Sequence, residues 1–314
     1  MRRHDAITAL SLSSLAALAP ALAWAQGAEK LQVAGPPTED STNVLYGIKS
    51  GLFGRAGLDV EMISTSSGTA AVTAMVAGTY PIAKTSLLAL FNAHLRGIGV
   101  VIVAPELLYL ARSRFALLQT APDAPYRTGA DLNGKTIGVP ALNDLNTLAT
   151  RAWVDKNGGD WKSLKFTEIP NSAMEPAIVQ KRVDAAILQQ PQLDNSLSAG
   201  TTRTLGDGWG AIAPTFLAGA YVARLDWVSQ HADAIRKYNR ALAEATTYVN
   251  AHPNETAPLV VELTKIEMPV VAKMIRSTNA TTLDTALIQP FIDAAAKYET
   301  IPRAFPARDL TWNG

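Results

Sequence analysis

An α/β protein with mostly parallel sheets is the fold class predicted by this 314-residue sequence. Three observations carry that prediction. Strand-sized apolar runs alternate with helical stretches through the first two-thirds of the chain, the pattern of strands covered by crossover helices. Glycines stand where those helical stretches stop, as left-handed C-caps. Hydrophobic residues make up 48% of the chain and charged residues 18%, enough apolar material for one large or two ordinary domains.

The elements follow in chain order. Strands are expected at Lys30–Gly35, Leu58–Ser64, Tyr80–Lys84, Val100–Ala104, Phe115–Gln119, Thr136–Val139, Lys165–Ile169, Ala185–Gln189 and Leu217–Ala223, each of ordinary strand length. Helices fit between them: Val44 to Ser50 stopped by Gly51, Ala70 to Ala77 by Gly78, Leu145 to Asn157 by Gly158, and Met174 to Lys181 before another strand. After about Asp226 the pattern is helical alone. Ile235, Tyr238, Leu242, Ala245 and Val249 recur at three- and four-residue steps and form one apolar face that ends before Pro253.

At the N-terminus, Arg2 and Arg3 precede a largely apolar stretch from Ala6 to Leu22 and a small-x-small Ala23-Trp24-Ala25, the three parts of an export signal. Cleavage is expected after Ala25. Ser11, Ser13, Ser14 and Pro20 interrupt the apolar stretch, which argues against a membrane anchor of roughly 20 apolar residues. The arginine pair fits either a general or a twin-arginine exporter. The chain has no cysteine, so lipid attachment, disulfides and thiolate chemistry are excluded. The expected location is therefore the periplasm, free of a lipid anchor. The 28 basic and 27 acidic residues nearly balance, and loss of Arg2, Arg3 and Asp5 leaves 26 of each. A nucleic-acid partner would need a basic excess on one face, so none is expected.

No linker rich in Pro, Gly or Ser divides the α/β part. Two lobes would require the chain to cross more than once, at Arg114–Gln119 and Phe216–Ala223. That gives a signal peptide over 1–25, an outer lobe from 26–113 and 218–314, and an inserted lobe from 114–217, a normal domain size.

Four segments carry a family resemblance. The first runs from Gly47-Ile48-Lys49-Ser50-Gly51-Leu52-Phe53 to Ala56-Gly57-Leu58-Asp59-Val60-Glu61, and the second from Ser67-Gly68-Thr69 to Met75-Val76-Ala77-Gly78. The third is Asp131-Leu132-Asn133-Gly134-Lys135-Thr136-Ile137-Gly138-Val139, and the fourth is Val183-Asp184-Ala185-Ala186 leading to Gln190-Pro191. In this order behind a signal peptide, the chain resembles the periplasmic solute-binding proteins of the nitrate, sulfonate and taurine type, grouped with the thiamine-precursor-binding proteins, that serve ABC importers. The resemblance implies a type II periplasmic binding protein fold. It has two α/β lobes joined by two crossing segments, a ligand cleft between them, and here a helical C-terminal region. It also implies a small-molecule ligand, an ABC importer permease as partner, a monomer and no cofactor. The ligand would be a small organic solute of sulfonate, carboxylate or pyrimidine type.

Binding loops in such sheets lie at strand C-terminal ends, where helix N-termini offer free N–H groups. After the first strand, Thr38, Ser41 and Asn43 reach a ligand, or Ser41, Thr42 or Asn43 merely caps the next helix. Ser66, Ser67, Gly68 and Thr69 open a helix with hydroxyls and a glycine, the strongest local candidate for holding an oxyanion, again with capping as the alternative. Lys84, Thr85 and Ser86 end the third strand, and Lys84 either neutralises an anionic ligand or is a solvated charge. In the inserted lobe, Asn143, Asn146, Asn171, Gln189 and Gln190 are contact candidates. Asp144 reads as a helix cap, and Ser172 with Glu175 as a capping box. Asp40, Asp144 and Glu175 oppose an anion unless they point away. Tyr109, Trp209 and Tyr221 are aromatic wall candidates, with core packing as the commoner role.

His94, His231 and His252 have no metal-ligand spacing, and there is no catalytic serine elbow, P-loop or dinucleotide glycine pattern. Cysteine- or histidine-dependent enzymes sharing the family's fold are disfavoured by the absence of cysteine. The expected function is therefore a non-enzymatic importer receptor. The alternatives are a ligand-binding sensor subunit for a membrane signalling partner and a family-related enzyme.

Overall fold

The computed structural model describes residues 28–312. The export signal and its cleavage point lie outside the described residues. Strands β1 (Glu29–Gly35), β2 (Leu58–Ser64), β3 (Ile82–Ser86) and β4 (Val100–Pro105) join the late strand β12 (Gly219–Arg224) in a sheet of order β2-β1-β3-β12-β4. A second sheet holds β6 (Ala116–Thr120), β7 (Thr136–Val139), β8 (Lys165–Glu168), β9 (Ala185–Gln189) and β10 (Arg203–Gly206) in the order β10-β6-β9-β7-β8. Between the sheets in the chain, β5 (Leu108–Leu110) and β11 (Thr215–Leu217) pair as a two-stranded antiparallel ribbon.

The sheets are mixed rather than mostly parallel. β1 runs parallel to β2 and β3, and β7 parallel to β8 and β9. The strands that arrive from the other half of the molecule are inserted antiparallel: β12 between β3 and β4, and β6 against β9 and β10. Of the two segments expected to cross between lobes, Arg114–Gln119 runs into β6, and Phe216–Ala223 begins in the ribbon strand β11 and continues into β12. The expected strand Leu217–Ala223 is in fact two strands, broken at Ala218, whose N–H bonds to the Leu107 carbonyl.

The helices are α1 (Thr42–Lys49), α2 (Leu52–Arg55), α3 (Gly68–Val76), α4 (Leu87–Leu95), α5 (Leu145–Lys156), α6 (Asn171–Val179), α7 (Gln192–Ser198), α8 (Leu225–Gln230), α9 (Ala232–Ala251), α10 (Ala257–Thr264), α11 (Met268–Val271) and α12 (Gln289–Lys297). The apolar face read from the sequence of α9 is buried at Ile235, Tyr238, Leu242, Ala245 and Val249. It covers α1 and α2, and its Tyr238 ring stacks on Phe53 at 5.3 Å. Burying a side chain such as Phe53 contributes about 1.5–3 kcal/mol.

An aromatic row runs from one half of the molecule to the other. Phe91 meets Phe291 at 5.1 Å, Phe291 meets Phe216 at 5.4 Å, and Phe216 meets Tyr109 at 5.1 Å. Tyr109 continues to Trp209 at 5.6 Å, and Trp209 to Phe115 at 6.2 Å. The C-terminal segment also reaches α5. Asp155 accepts from Lys297 and from the Tyr298 hydroxyl, each at 2.8 Å, and Arg151 donates to the Tyr298 carbonyl at 2.8 Å. The C-terminal residues are therefore shared between the two halves. Among the described residues no helix is long and apolar enough to cross a membrane.

Candidate functional site

The C-terminal ends of β1, β3 and β4 carry a buried charge cluster. Lys84 Nζ pairs with Asp40, donates to Thr38 Oγ1 at 2.6 Å, and lies 3.0 Å from Glu106 Oε1. Thr38 Oγ1 in turn donates to Asp40 Oδ1 at 2.5 Å. Only 2% of the Glu106 side chain and 6% of Lys84 are exposed, against 15% of Asp40. Glu106 Oε1 faces the Lys84 ammonium in this buried setting.

Two carboxylates thus share one ammonium away from water, where an unpaired charge is expensive. Burial and then the Asp40 charge push the Glu106 carboxyl up to about 8, against the opposing pull of Lys84. Burial also works against the Asp40 charge, but the Lys84 ammonium and its hydrogen bond outweigh it and hold Asp40 below its ordinary value. Burial likewise opposes the Lys84 charge, and the two carboxylates outweigh it and raise Lys84. At neutral pH the cluster is an ionised Asp40, an ammonium and a protonated Glu106, with no net charge.

The Lys84 ammonium is thus buried and paired inside the protein, and is not the solvated charge of the alternative reading. The loop from β1 to α1 is fixed from behind by the 276–279 segment. Arg276 donates to Glu39 at 2.5 Å, the Ser277 N–H to Glu39 at 3.0 Å, and Asn279 Nδ2 to the Asp40 carbonyl at 2.7 Å.

The rim continues outward through close backbone contacts. Gly35 packs against Lys84, where an added Cβ would stand 2.8 Å from the Lys84 Cβ. At Gly68 an added Cβ would stand 2.9 Å from Thr85 Oγ1 and 3.0 Å from its Cα. Glycine is needed there for α3 to start directly on the end of β3. Ser67 caps α3, its hydroxyl accepting from the Ala70 N–H at 3.1 Å. Ser66 and Thr69 are exposed beside it, and Ser86 is half-buried at the start of α4 without a capping bond.

From Thr69 a cavity of about 590 Å³ opens between α3, α4 and the second sheet, a volume typical of small-molecule sites. One wall is Thr69, Val72, Thr73 and Val76 of α3 with Asn92 and Arg96 at α4; the facing wall is Ala141, Leu142 and Asn143 after β7 and Glu168 at the end of β8. Thr69 and Asn143, both expected from sequence, are thereby brought to one cavity. Glu168 accepts from the Leu142 N–H at 2.9 Å and fixes that loop.

The remaining candidates divide by partner. Asn43 is fully buried, with its Oδ1 accepting from Tyr221 at 3.0 Å and the Val44 N–H at 2.8 Å, and its Nδ2 donating to Thr246 at 3.0 Å. It faces the core, and Tyr221 with it. Ser41 is buried and makes no capping bond. Asn146 is buried and accepts from the Trp209 indole at 2.9 Å. Tyr109 donates to Asp207, so both wall candidates Tyr109 and Trp209 have internal partners. Asp144 caps α5 as expected, accepting from the Asn146 and Thr147 N–H groups at 2.8 and 3.1 Å. The expected capping box at α6 does not form: the cap position is Pro170, and Glu175 instead accepts from Thr201 at 2.5 Å. Asn171 is exposed and Gln189 half-buried. Gln190 is buried, and neither its Oε1 nor its Nε2 has a partner, a deficit of about 1–3 kcal/mol per group. A ligand amide or hydroxyl would relieve it.

Sequence reasoning missed Glu106, Arg276 and Asn279. Glu106 had one signal, an acid directly ending the most apolar strand of the chain. Arg276 and Asn279 lie more than 230 residues from the loop they hold, and no local pattern marks them.

The geometry can now be set beside known proteins. The NMT1/THI5 like family model matches residues 38–256. The formylaminopyrimidine-binding protein of Halalkalibacterium halodurans is 24% identical over 151 residues, 48% of this chain and 44% of that protein, so the match spans less than half of either. In fold, the chain is similar to the periplasmic aliphatic sulphonate binding protein SsuA from Escherichia coli, with a TM-score of 0.74, 16% identity, and 91% and 92% of the two chains covered. It is also similar to the periplasmic nitrate-binding protein NrtA from Synechocystis, with a TM-score of 0.71, 13% identity, and 89% and 84% covered. Two mixed α/β sheets with a helical C-terminal region are the periplasmic binding protein fold, and with the greater part of its length matched by the family model this chain belongs to the NMT1/THI5-like family.

Proposed function

We propose that the protein is the periplasmic substrate-binding component of an ABC importer, which captures a small organic solute between two lobes and delivers it to the permease. The lobes are 26–113 with 218–314, and 114–217. The observation that carries the reading is the cavity with helices α3 and α4 on one side and the strand-end loops of the second sheet on the other. A ligand touching both walls is held best when they approach, so binding shifts the population toward the closed form that a permease recognises. The family match and the names of the relatives support the solute-binding role; the solute in this reading is of sulfonate, carboxylate or pyrimidine type. No bond is made or broken in this function, and the exported chain acts as a monomer.

The test is thermal unfolding of the purified mature protein across a panel of sulfonates, carboxylates and pyrimidines. A ligand at 100 times its Kd adds about 2.7 kcal/mol to the folded state and raises the Tm. Conversion of a bound compound to product, or no stabilisation by any member, refutes the reading. Ligand-dependent stimulation of the ATPase of a co-encoded permease complex checks the delivery step.

A further inference from the structure

The C-terminal segment ties the two halves of the molecule together without a covalent crossing. Resting on the two-lobe reading above, we propose that the turn 297–299 is a releasable clasp, which holds this segment against the inserted lobe and limits how far the lobes open.

The segment is rooted on the outer lobe on both sides of the turn. Before it, Phe291 of α12 packs edge-on against Phe91 of α4 at 5.1 Å. After it, Phe305 meets Phe91 at 5.7 Å and His94 at 4.6 Å, and Thr311 bridges to Ile102 of β4. Gln289 joins the two roots, donating to the Phe305 carbonyl at 3.2 Å and accepting from the Ala307 N–H at 2.8 Å. Phe91, Ile102, Phe291, Phe305 and Leu310 are buried, so the roots have the full benefit of apolar burial.

The turn meets the inserted lobe mainly through polar groups open to water. Lys297 and the Tyr298 hydroxyl donate to Asp155, Arg151 donates to the Tyr298 carbonyl, and Lys162 Nζ donates to Glu299 at 2.7 Å. The side chains of Lys162 and Glu299 are each 62% exposed and that of Lys297 61%. Exposed pairs of this kind contribute little and are screened by salt. The buried part of the clasp is the Tyr298 ring, edge-on to Trp161 at 5.6 Å. Arg151 is held beside it over the Trp161 and Phe166 rings, with its Nε unpartnered, a deficit that hydration relieves once the turn lets go. Apolar roots and a weakly held polar clasp make the turn the part that yields when the lobes rotate apart. While it is shut, the inserted lobe is tied to the outer one at α5 as well as at the crossings. Release therefore enlarges the open population and lowers the closed fraction that holds a solute.

The chain has no cysteine, so Asn195→Cys on α7 and Arg236→Cys on α9, both exposed, place one spin label on each lobe without background. Double electron–electron resonance on the full mature chain, without ligand, reads the distance between them. The otherwise wild-type protein is compared with Asp155→Ala and with the double variant Lys297→Ala/Glu299→Ala, and circular dichroism shows that each is folded. The double variant alters only exposed side chains, so it serves if Asp155→Ala does not fold. In both, the distance is expected to move outward by about 5 Å, the scale of one element stepping past another, with a broader distribution. Raising the ionic strength from about 0.1 to about 1 M, which shortens the screening length from roughly 10 to 3 Å, should move the wild type in the same direction. Superimposable distributions in the folded variants, or a shift inward, overturn the clasp. Because no ligand is present, that result leaves the solute-binding role standing, and failure of the ligand panel beside an outward shift overturns the role and not the clasp.

Discussion

Replacing Glu106 with glutamine removes one buried ionisable group at nearly constant volume, and its consequence can be worked out from the cluster. The Glu106 carboxyl stands at about 8 in the folded protein against an ordinary value of 4.5. Between these values the folded state keeps a proton that the unfolded state releases, so the contribution to stability is fully present below 4.5 and is lost as pH rises through 8. Over the whole window it amounts to roughly 5 kcal/mol at about 1.36 kcal/mol per pH unit, and roughly 3 kcal/mol of it falls between pH 6 and 9. The neighbouring charges do not mask it. Asp40 is held below its ordinary value of 3.8, so its stabilising contribution is complete well below pH 6. Lys84 is raised above 10.5 and remains charged throughout. Asp144, pushed up to about 7 by burial, declines in the same direction but contributes only in the lower part of the range. Urea unfolding followed by tryptophan fluorescence at pH 6, 7.5 and 9 reads the difference. The wild type should lose roughly 3 kcal/mol more than Glu106→Gln between pH 6 and 9, on the basis of this linkage. Equal pH slopes in the two proteins would refute the protonated state of Glu106 and the shared-cation description of the cluster.

Three further outcomes are expected. Asn43→Ala strands the Tyr221 and Thr246 hydroxyls in the core and should cost about 1–3 kcal/mol in urea unfolding, with ligand affinity unchanged; a loss of affinity without a loss of stability would place Asn43 in the site after all. Gln190→Leu removes an amide with no partner in the protein, so the ligand-free form should keep its stability or gain up to about 1 kcal/mol, while calorimetry should show weakened solute binding. Gly68→Ala drives a methyl group against Thr85 and should cost about 1–3 kcal/mol; an unchanged Tm would show that α3 does not start hard against β3.

The amino-acid sequence by itself determined the local grammar of this protein. Strand runs such as Leu58–Ser64 and Ala185–Gln189, the cap at Asp144, the Ser67-Gly68 helix start and the apolar face of α9 were legible because each rests on contacts within a few residues or on a period of two or 3.6. The tertiary structure decided the partners. Lys84 looked like a free strand-end charge until Asp40 and Glu106, 44 residues before it and 22 after it, were folded against it. Asn43 looked like a loop donor until Tyr221 and Thr246 closed over it. The antiparallel insertion of β6 and β12, and the reach of Tyr298 to Asp155, were equally absent from any local pattern. The physical reason is the same in each case: whether a polar group is a ligand contact or a structural tie depends on whether its hydrogen-bonding and charge are already satisfied. That is settled by groups distant in sequence, brought together only when the core is buried.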